Sequence, residues 1–310
     1  MVKLYAGIDV CKDYLDVFIS NNVYKRFDNN KEGHKHLNKF FVKYNPELIV
    51  IEATGNLHKA IWRSLYNNNF RVFVINPKRS RQFAGSIGCL AKTDKVDAKI
   101  LAKFGEVFNP DSTLILTEEE ENLQILLTTR IQVTNEISRV KNIVSSHSNK
   151  QVILLFKKQI SLFEKQIEEL DSYLFELIKT NENLYNKYQV LMSIKGIGKL
   201  NAMMLVAYLP ELGKCNHKEI SSLIGVAPFN RDSGNMRGKR MINGGRKCIR
   251  NMLYMGAISA KVHNKDMRLF YERLTKKGKP AKVALTAVMR KMIILANTLI
   301  KENRTWKESC

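Results

Sequence analysis

Paired cysteines are missing from this chain: the five present, Cys11, Cys89, Cys215, Cys248 and Cys310, are odd in number and far apart. That excludes a disulfide framework and a C-x-x-C zinc site, and it fits a reducing cytoplasm. Proline is scarce, at six in 310 residues, so few breaks interrupt the regular elements. Long apolar runs are scarce too. Every strongly apolar segment, including Val283 to Ile300, contains charged or polar residues, and MVKLYAGIDV at the N-terminus lacks the apolar stretch of a signal peptide. The expectation is a soluble, cytoplasmic protein with no membrane partner. Acidic charge is also in short supply: 29 Asp and Glu face 51 Lys and Arg, a formal net charge of +22. Such an excess fits an extended polyanion better than a small acidic substrate.

The charge is unevenly placed, with sums of +7, −2 and +17 over residues 1–115, 116–190 and 191–310. These three regions are the expected domains. With 45% hydrophobic residues the chain can build more than one core.

The first region alternates strands and helices. Lys3 to Val10 reads as a buried strand, and Leu15 to Ser20 and Val23 to Phe27 as a hairpin turning at Asn21-Asn22. Helical spacing follows over 32–44, a strand over 48–52, a helix over 57–67 and a strand over 71–75, an order that predicts a mixed sheet flanked by helices. Acids interrupt this apolar pattern at telling places. Asp9 ends LYAGID and Glu52 ends LIVIE, so on neighbouring strands both carboxylates leave the sheet at one edge. Asp94 and Asp97 in AKTDKVDAKILAKF lie three apart on a helix that Thr93 can cap, and so share a face. Four converging carboxylates repel one another unless cations occupy the site, and hard oxygen ligands suit Mg²⁺ beside phosphate. Taken singly, each acid has a plainer reading as a helix-start or turn residue.

The GIDV strand, the acid after a second apolar strand and the KTDxxDA helix resemble the DEDD transposases of the insertion-sequence 110 family. That resemblance implies a ribonuclease-H/RuvC-like N-terminal domain in which Asp9, Glu52, Asp94 and Asp97 are the catalytic, metal-binding tetrad. The segment NPKRSRQFAGSIGCLAKTD, with Lys78, Arg79, Arg81 and Lys92, reads as a loop touching nucleic acid.

The middle region, from Glu118, has no proline or glycine and keeps three-four apolar spacing, first from Leu123 to Val144 and then from Ile153 to Leu191. A helical hairpin and an intermolecular coiled coil both satisfy it. The resembled family carries a coiled coil at this place.

The last region is expected to be mainly α-helical. LMSIKGIGKLNAMMLVAYL reads as a helix-hairpin-helix-like element whose Lys195, Gly196 and Gly198 turn can receive a phosphate on free amides. Helices are predicted over 217–223, 246–261 and 280–301, the last two joined by the basic NKDMRLFYERLTKKGKP stretch. Between them PFNRDSGNMRGKRMINGGRKCIR sets Ser233 among seven basic residues and four glycines, with Asp232 its one acid. A phosphodiester-attacking serine and a basic, nucleic-acid-holding turn both fit these residues.

The GIG turn, the APFNRDSG segment and the following Arg-led helix resemble the C-terminal transposase domain of the same family, so the likeness spans the chain. It implies that Ser233 is the nucleophile of a serine–DNA covalent intermediate in transposition or site-specific recombination. It further implies Mg²⁺ or Mn²⁺ as cofactor, donor and target DNA as partners, and a structured bridge RNA as guide. A homodimer, or a tetramer built as a dimer of dimers, is expected, working at the prokaryotic nucleoid. Arg231, Arg237, Lys239, Arg240, Arg246 and Lys247 are the expected nucleic-acid contacts around the serine. Competing readings are a metal-dependent RuvC-like nuclease in which Ser233 only holds phosphate, a non-catalytic nucleic-acid scaffold, and an actin-like kinase, which the missing second phosphate loop disfavours.

Overall fold

The computed structural model describes residues 3–89, 91, 93–230, 232–234, 236–238 and 240–307. The chain divides into two compact units, Met1–Ile115 and Leu116–Cys310.

Unit 1 is built on a five-stranded sheet of β1 (Tyr5–Val10), β2 (Tyr14–Ile19), β3 (Val23–Asp28), β4 (Leu48–Glu52) and β5 (Val72–Ile75), in the order β3-β2-β1-β4-β5. β2 runs antiparallel to both its neighbours, and β1, β4 and β5 are parallel. Because side chains alternate along a strand, each strand feeds two cores. Ala6, Ile8 and Val10 join Leu37 and Phe41 of α1 (Lys31–Tyr44) and Ile61 and Leu65 of α2 (Leu57–Asn67) on one face. Tyr5, Leu48 and Val50 join Phe83 of α3 (Pro77–Ser86) and Leu101 and Phe104 of α4 (Asp94–Phe108) on the other. Gly7 belongs to this second face. A Cβ there would overlap the Ala98 carbonyl oxygen and the Ala102 nitrogen, so glycine is what lets the α4 backbone lie directly on β1. The α/β, ribonuclease-H/RuvC-like expectation fits this mixed, two-sided sheet.

Residues 77–86 are helix rather than the expected loop. The Asn76 side chain accepts from Lys78 N, Pro77 opens the first turn, and Phe83 anchors the helix in the core.

Unit 2 is helical. α5 (Glu118–Ser146) starts with a capping box on Thr117 and Glu120 and turns at residues 147–149 into α6 (Lys150–Thr180). The two lie antiparallel, tied by Arg130 to Asp171 and by Lys141 to Glu164. Of the two arrangements that the spacing allows, the hairpin within one chain is present. Its base, through Leu123, Leu127, Leu174 and Ile178, shares one core with α7 (Glu182–Met192), α8 (Lys199–Tyr208), α9 (His217–Leu223), α10 (Lys247–His263) and α12 (Ala281–Lys301). The arm of residues 116–190 is therefore not a separate body from the last region. Residues 265–276, expected as a connector, form α11 (Lys265–Lys276), capped by Asn264 and pinned by buried Met267. α12 is long and apolar enough to pass as a membrane span, yet it buries Leu285, Val288, Met292, Ile293, Ala296 and Leu299 in the core of unit 2. β6 (Pro228–Phe229) and β7 (Met241–Ile242) form a small exposed ladder.

Candidate active site

β1 and β4 are parallel neighbours with Ile8 opposite Ile51, so Asp9 and Glu52 leave the sheet side by side. α4 delivers the other two acids. The Thr93 hydroxyl accepts from Val96 N at 3.3 Å and fixes the helix start, and close packing on Gly7 brings the first turn over β1. Asp9, Glu52, Asp94 and Asp97 all line one cavity of about 460 Å³, together with Cys11, Thr54, Ser80 and Arg81.

Burial holds the Asp9 carboxyl up to about 6, and the charges of Asp97, Glu52 and Asp94 act in the same direction, against a hydrogen bond from Val10 N at 3.0 Å. Ligand atoms of Asp9, Cys11 and Asp94 lie within 4.8 Å of one another. Carboxylate oxygens gathered at this spacing, at a mutual electrostatic cost and beside open volume, fit a divalent cation. Ligands would come from Asp9 and Asp94, with Glu52 and Asp97 on the same cavity; Cys11 adds a thiol at its rim.

Two neighbours of this cluster, Ser80 and Asp16, escaped the sequence reading. Ser80, buried on α3, donates its hydroxyl to Glu52 Oε2 and to the Pro77 carbonyl, orienting the β4 acid. Asp16 on β2 is fully buried and takes a two-pronged contact from Arg26, with Nε and Nη2 each at 3.0 Å, and a hydrogen bond from the Tyr24 hydroxyl. Asp16 carried the signal that found Asp9 and Glu52, an acid inside an apolar strand. Of the histidines, buried His34 meets Asn29 Oδ1 and buried His58 Nδ1 accepts from Thr54 N, whereas His36, His147, His217 and His263 are exposed.

In unit 2, Ser233 is exposed near the tip of the hairpin that β6 and β7 begin. Its N–H donates to the Met236 carbonyl at 3.1 Å and its carbonyl accepts from Met236 N at 3.0 Å, closing a tight turn. Gly234 at φ 54° has open space around it. Asp232 braces the turn, accepting from Gly238 N at 3.2 Å and Arg240 Nη1 at 2.5 Å, and Arg240 pulls its pKa below the usual range. The base of the hairpin is tighter. Gly225 and Gly245, at φ 71° and 68°, interlock so closely that a Cβ on either would strike the other strand's backbone, and Arg250 donates to the Gly244 carbonyl.

The remaining expected contacts divide. Lys78, Arg79 and Arg81 are exposed on α3, with Arg79 over the Phe104 ring and Arg81 lining the acid cavity. The Lys195–Gly198 turn packs Gly196 against Ala260, receives Asn264 Nδ2 on the Lys195 carbonyl, and leaves Gly198 open at the start of α8. Arg237 and Lys247 are exposed. Arg246 is paired within the fold: both its terminal nitrogens are bound to Glu211, at 2.7 and 2.6 Å, with a further bond to the Tyr208 carbonyl. Lys92, Arg231 and Lys239 lie outside the described residues.

Two family models match the chain, a DEDD transposase model over residues 6–148 and the transposase model of the IS116/IS110/IS902 family over residues 188–272. The pilin gene-inverting proteins of Moraxella bovis and Moraxella lacunata are each 28% identical over 320 aligned positions, covering 98% of this chain and of their own. RuvC from Thermus thermophilus overlaps 36% of this chain and 99% of its own at 14% identity, with a TM-score of 0.27, too low to define the fold, which rests on the strand order above. The chain belongs to the IS110 family of transposases. It is a DNA transposase or recombinase, an enzyme of a class that uses divalent metal.

Proposed function

We propose that this enzyme cuts and exchanges DNA strands through a covalent Ser233–DNA link, with Asp9, Glu52, Asp94 and Asp97 holding Mg²⁺ or Mn²⁺, and that a structured bridge RNA selects donor and target DNA. The observation that carries this reading is the convergence of four carboxylates, from two strand ends and a helix start, on one cavity of a transposase-family chain. A bound divalent cation supplies charge neutralisation at the phosphate and lowers the cost of deprotonating a hydroxyl. The protein's own groups do the rest. Ser233 Oγ forms a bond to phosphorus as the bond to the departing deoxyribose oxygen breaks; the serine proton leaves, and the departing oxygen is protonated. Phosphoserine thereby conserves the bond for rejoining.

Exposure of Ser233 supports access by a duplex, and Arg237 and Arg240 lie in the same hairpin to balance phosphate charge. Lys78, Arg79, Arg81, Lys247 and the open Gly198 end of α8 are surfaces on which backbone phosphates of DNA or RNA can rest. Because acids and serine belong to different compact units, the reaction needs both brought to one phosphate. A second protomer can supply one of them. The α5–α6 arm, with Leu154, Leu155 and Leu162 exposed on α6, supports pairing of subunits as a dimer or a dimer of dimers. The work would take place at the prokaryotic nucleoid, and the same cut and rejoining serves inversion as well as transposition.

The test incubates the protein, the non-coding RNA of its element and labelled donor DNA with Mg²⁺, and resolves the products on a denaturing gel. A protein-linked DNA band in the wild type, absent from Ser233→Ala and from Asp9→Ala, is expected. Cleaved ends without adduct, still produced by Ser233→Ala, would overturn the serine step in favour of a hydrolytic nuclease.

A further inference from the structure

The buried Asp16 has no place in the chemistry above, and fully buried charge is costly unless paired and put to use. Its partner is placed with care. Strand register sets Asp9 opposite Asp16, and Asp16 opposite Arg26, so the three form one row across β1, β2 and β3. They share the face that α4 covers, where Phe18 on β2 meets Ala98 and Ala102. Two-pronged bonding to Asp16 fixes the plane of the Arg26 guanidinium, and the Tyr14 ring, 3.9 Å from its central carbon, supports one side. From this position Nη2 reaches Asp94 Oδ2 at 3.5 Å. Asp94 is the first residue of α4, where the chain enters the helix.

We propose that Asp16 and Arg26 are positioning residues that hold the Asp94 carboxylate in place for a divalent cation. The proposal rests on the reading of the acids as the metal-holding cluster. Asp9 and Glu52 need no such help, since their backbones are fixed by the ladder between β1 and β4. Asp94 comes instead from a helix end after the segment of residues 87–93, and Arg26 ties that end across β2 to the edge strand. Charge is not the point of the contact. A cation beside Asp94 taken by itself would compete with a metal; the two-pronged bond and the ring contact spend the guanidinium on geometry. Lysine, a single point charge with no fork, cannot bond Asp16 along two parallel lines and reach Asp94 as well.

The experiment measures Mn²⁺ affinity of the full chain by calorimetry and by electron paramagnetic resonance of the free ion. Wild type, Arg26→Lys, Arg26→Gln, Asp16→Asn and Asp94→Asn are compared, each with its metal-free melting curve. Arg26→Lys and Arg26→Gln are expected to weaken binding alike, by about tenfold, the usual effect of losing a group that orients a metal ligand. Raised metal concentration should then restore strand cleavage in both. Asp16→Asn should follow them, and because it alters a buried residue its melting curve decides whether it is read; the half-exposed Arg26 keeps the test open in either case. Wild-type affinity in Arg26→Lys, or a change below about threefold in Arg26→Gln, would overturn the proposal. Equal binding by wild type and Asp94→Asn would overturn the metal assignment beneath it.

Discussion

The acid cluster of unit 1 and the serine hairpin of unit 2 are built in opposite ways. Asp9 and Glu52 stand on central strands with helices on both faces, and the helix carrying Asp94 and Asp97 is pressed onto Gly7. Ser233 sits on an exposed turn whose ladder is two residues per strand, held from below by the Gly225, Gly245 and Arg250 lock. A site for a small, hard cation needs donors fixed to within tenths of an ångström, which a packed sheet provides. A nucleophile that must meet a duplex gains from exposure, with its final geometry completed by the polyanion.

The contrast can be broken at its strongest point first. Asp9→Asn is expected to lower adduct formation by on the order of a thousandfold while raising the metal-free melting temperature, because it removes a repelled, buried charge; calorimetric melts with and without Mg²⁺ and the denaturing gel check both halves. Gly7→Ala should destabilise unit 1 by about 3 kcal/mol, since backbone has to move to admit the methyl. Gly234→Ala, in open space and strained only by its positive φ, should cost about 1 kcal/mol in urea melts. Ser80→Ala should weaken Mn²⁺ binding by about tenfold with little change in DNA affinity, measured by calorimetry and filter binding.

Unit 2 has its own pH signature. Burial works to raise the Glu211 pKa, but hydrogen bonds and charge from Arg246 overcome it and leave the carboxyl below its ordinary value. A depressed carboxyl stabilises the fold above its unfolded pKa and loses that contribution as pH falls through the folded one. Wild type should therefore melt higher than Glu211→Gln near pH 7, and the gap should begin to narrow as pH falls to about 4.3 and close below the depressed folded value. Smallest of all, Arg237→Ala should weaken DNA binding evenly across sequences and reduce the salt slope by about one, in titrations at several salt concentrations.

The alternation of apolar strands and helices made unit 1 readable from sequence, and acids at strand ends pointed to their own convergence. Asp16 sent the same signal but lies in mid-strand, and only the register shows that Arg26 stands opposite it. Ser80 looked like one small residue among basic ones; its use depends on Asn76 and Pro77 starting a helix there. Sequence counts basic residues such as Arg246 without showing that Glu211, 35 positions earlier, pairs with it. The helical spacing of residues 118–191 was clear, but whether it pairs within or between chains depends on the turn at 147–149, which spacing does not encode.

The central claim is that Ser233 becomes joined to DNA. The most direct measurement isolates the protein–DNA adduct, trims it with nuclease and protease, and finds by mass spectrometry the peptide that retains a nucleotide. The account predicts the modification on Ser233. A nucleotide on any other residue, or no nucleotide-bearing peptide under conditions where DNA strands are exchanged, would contradict it.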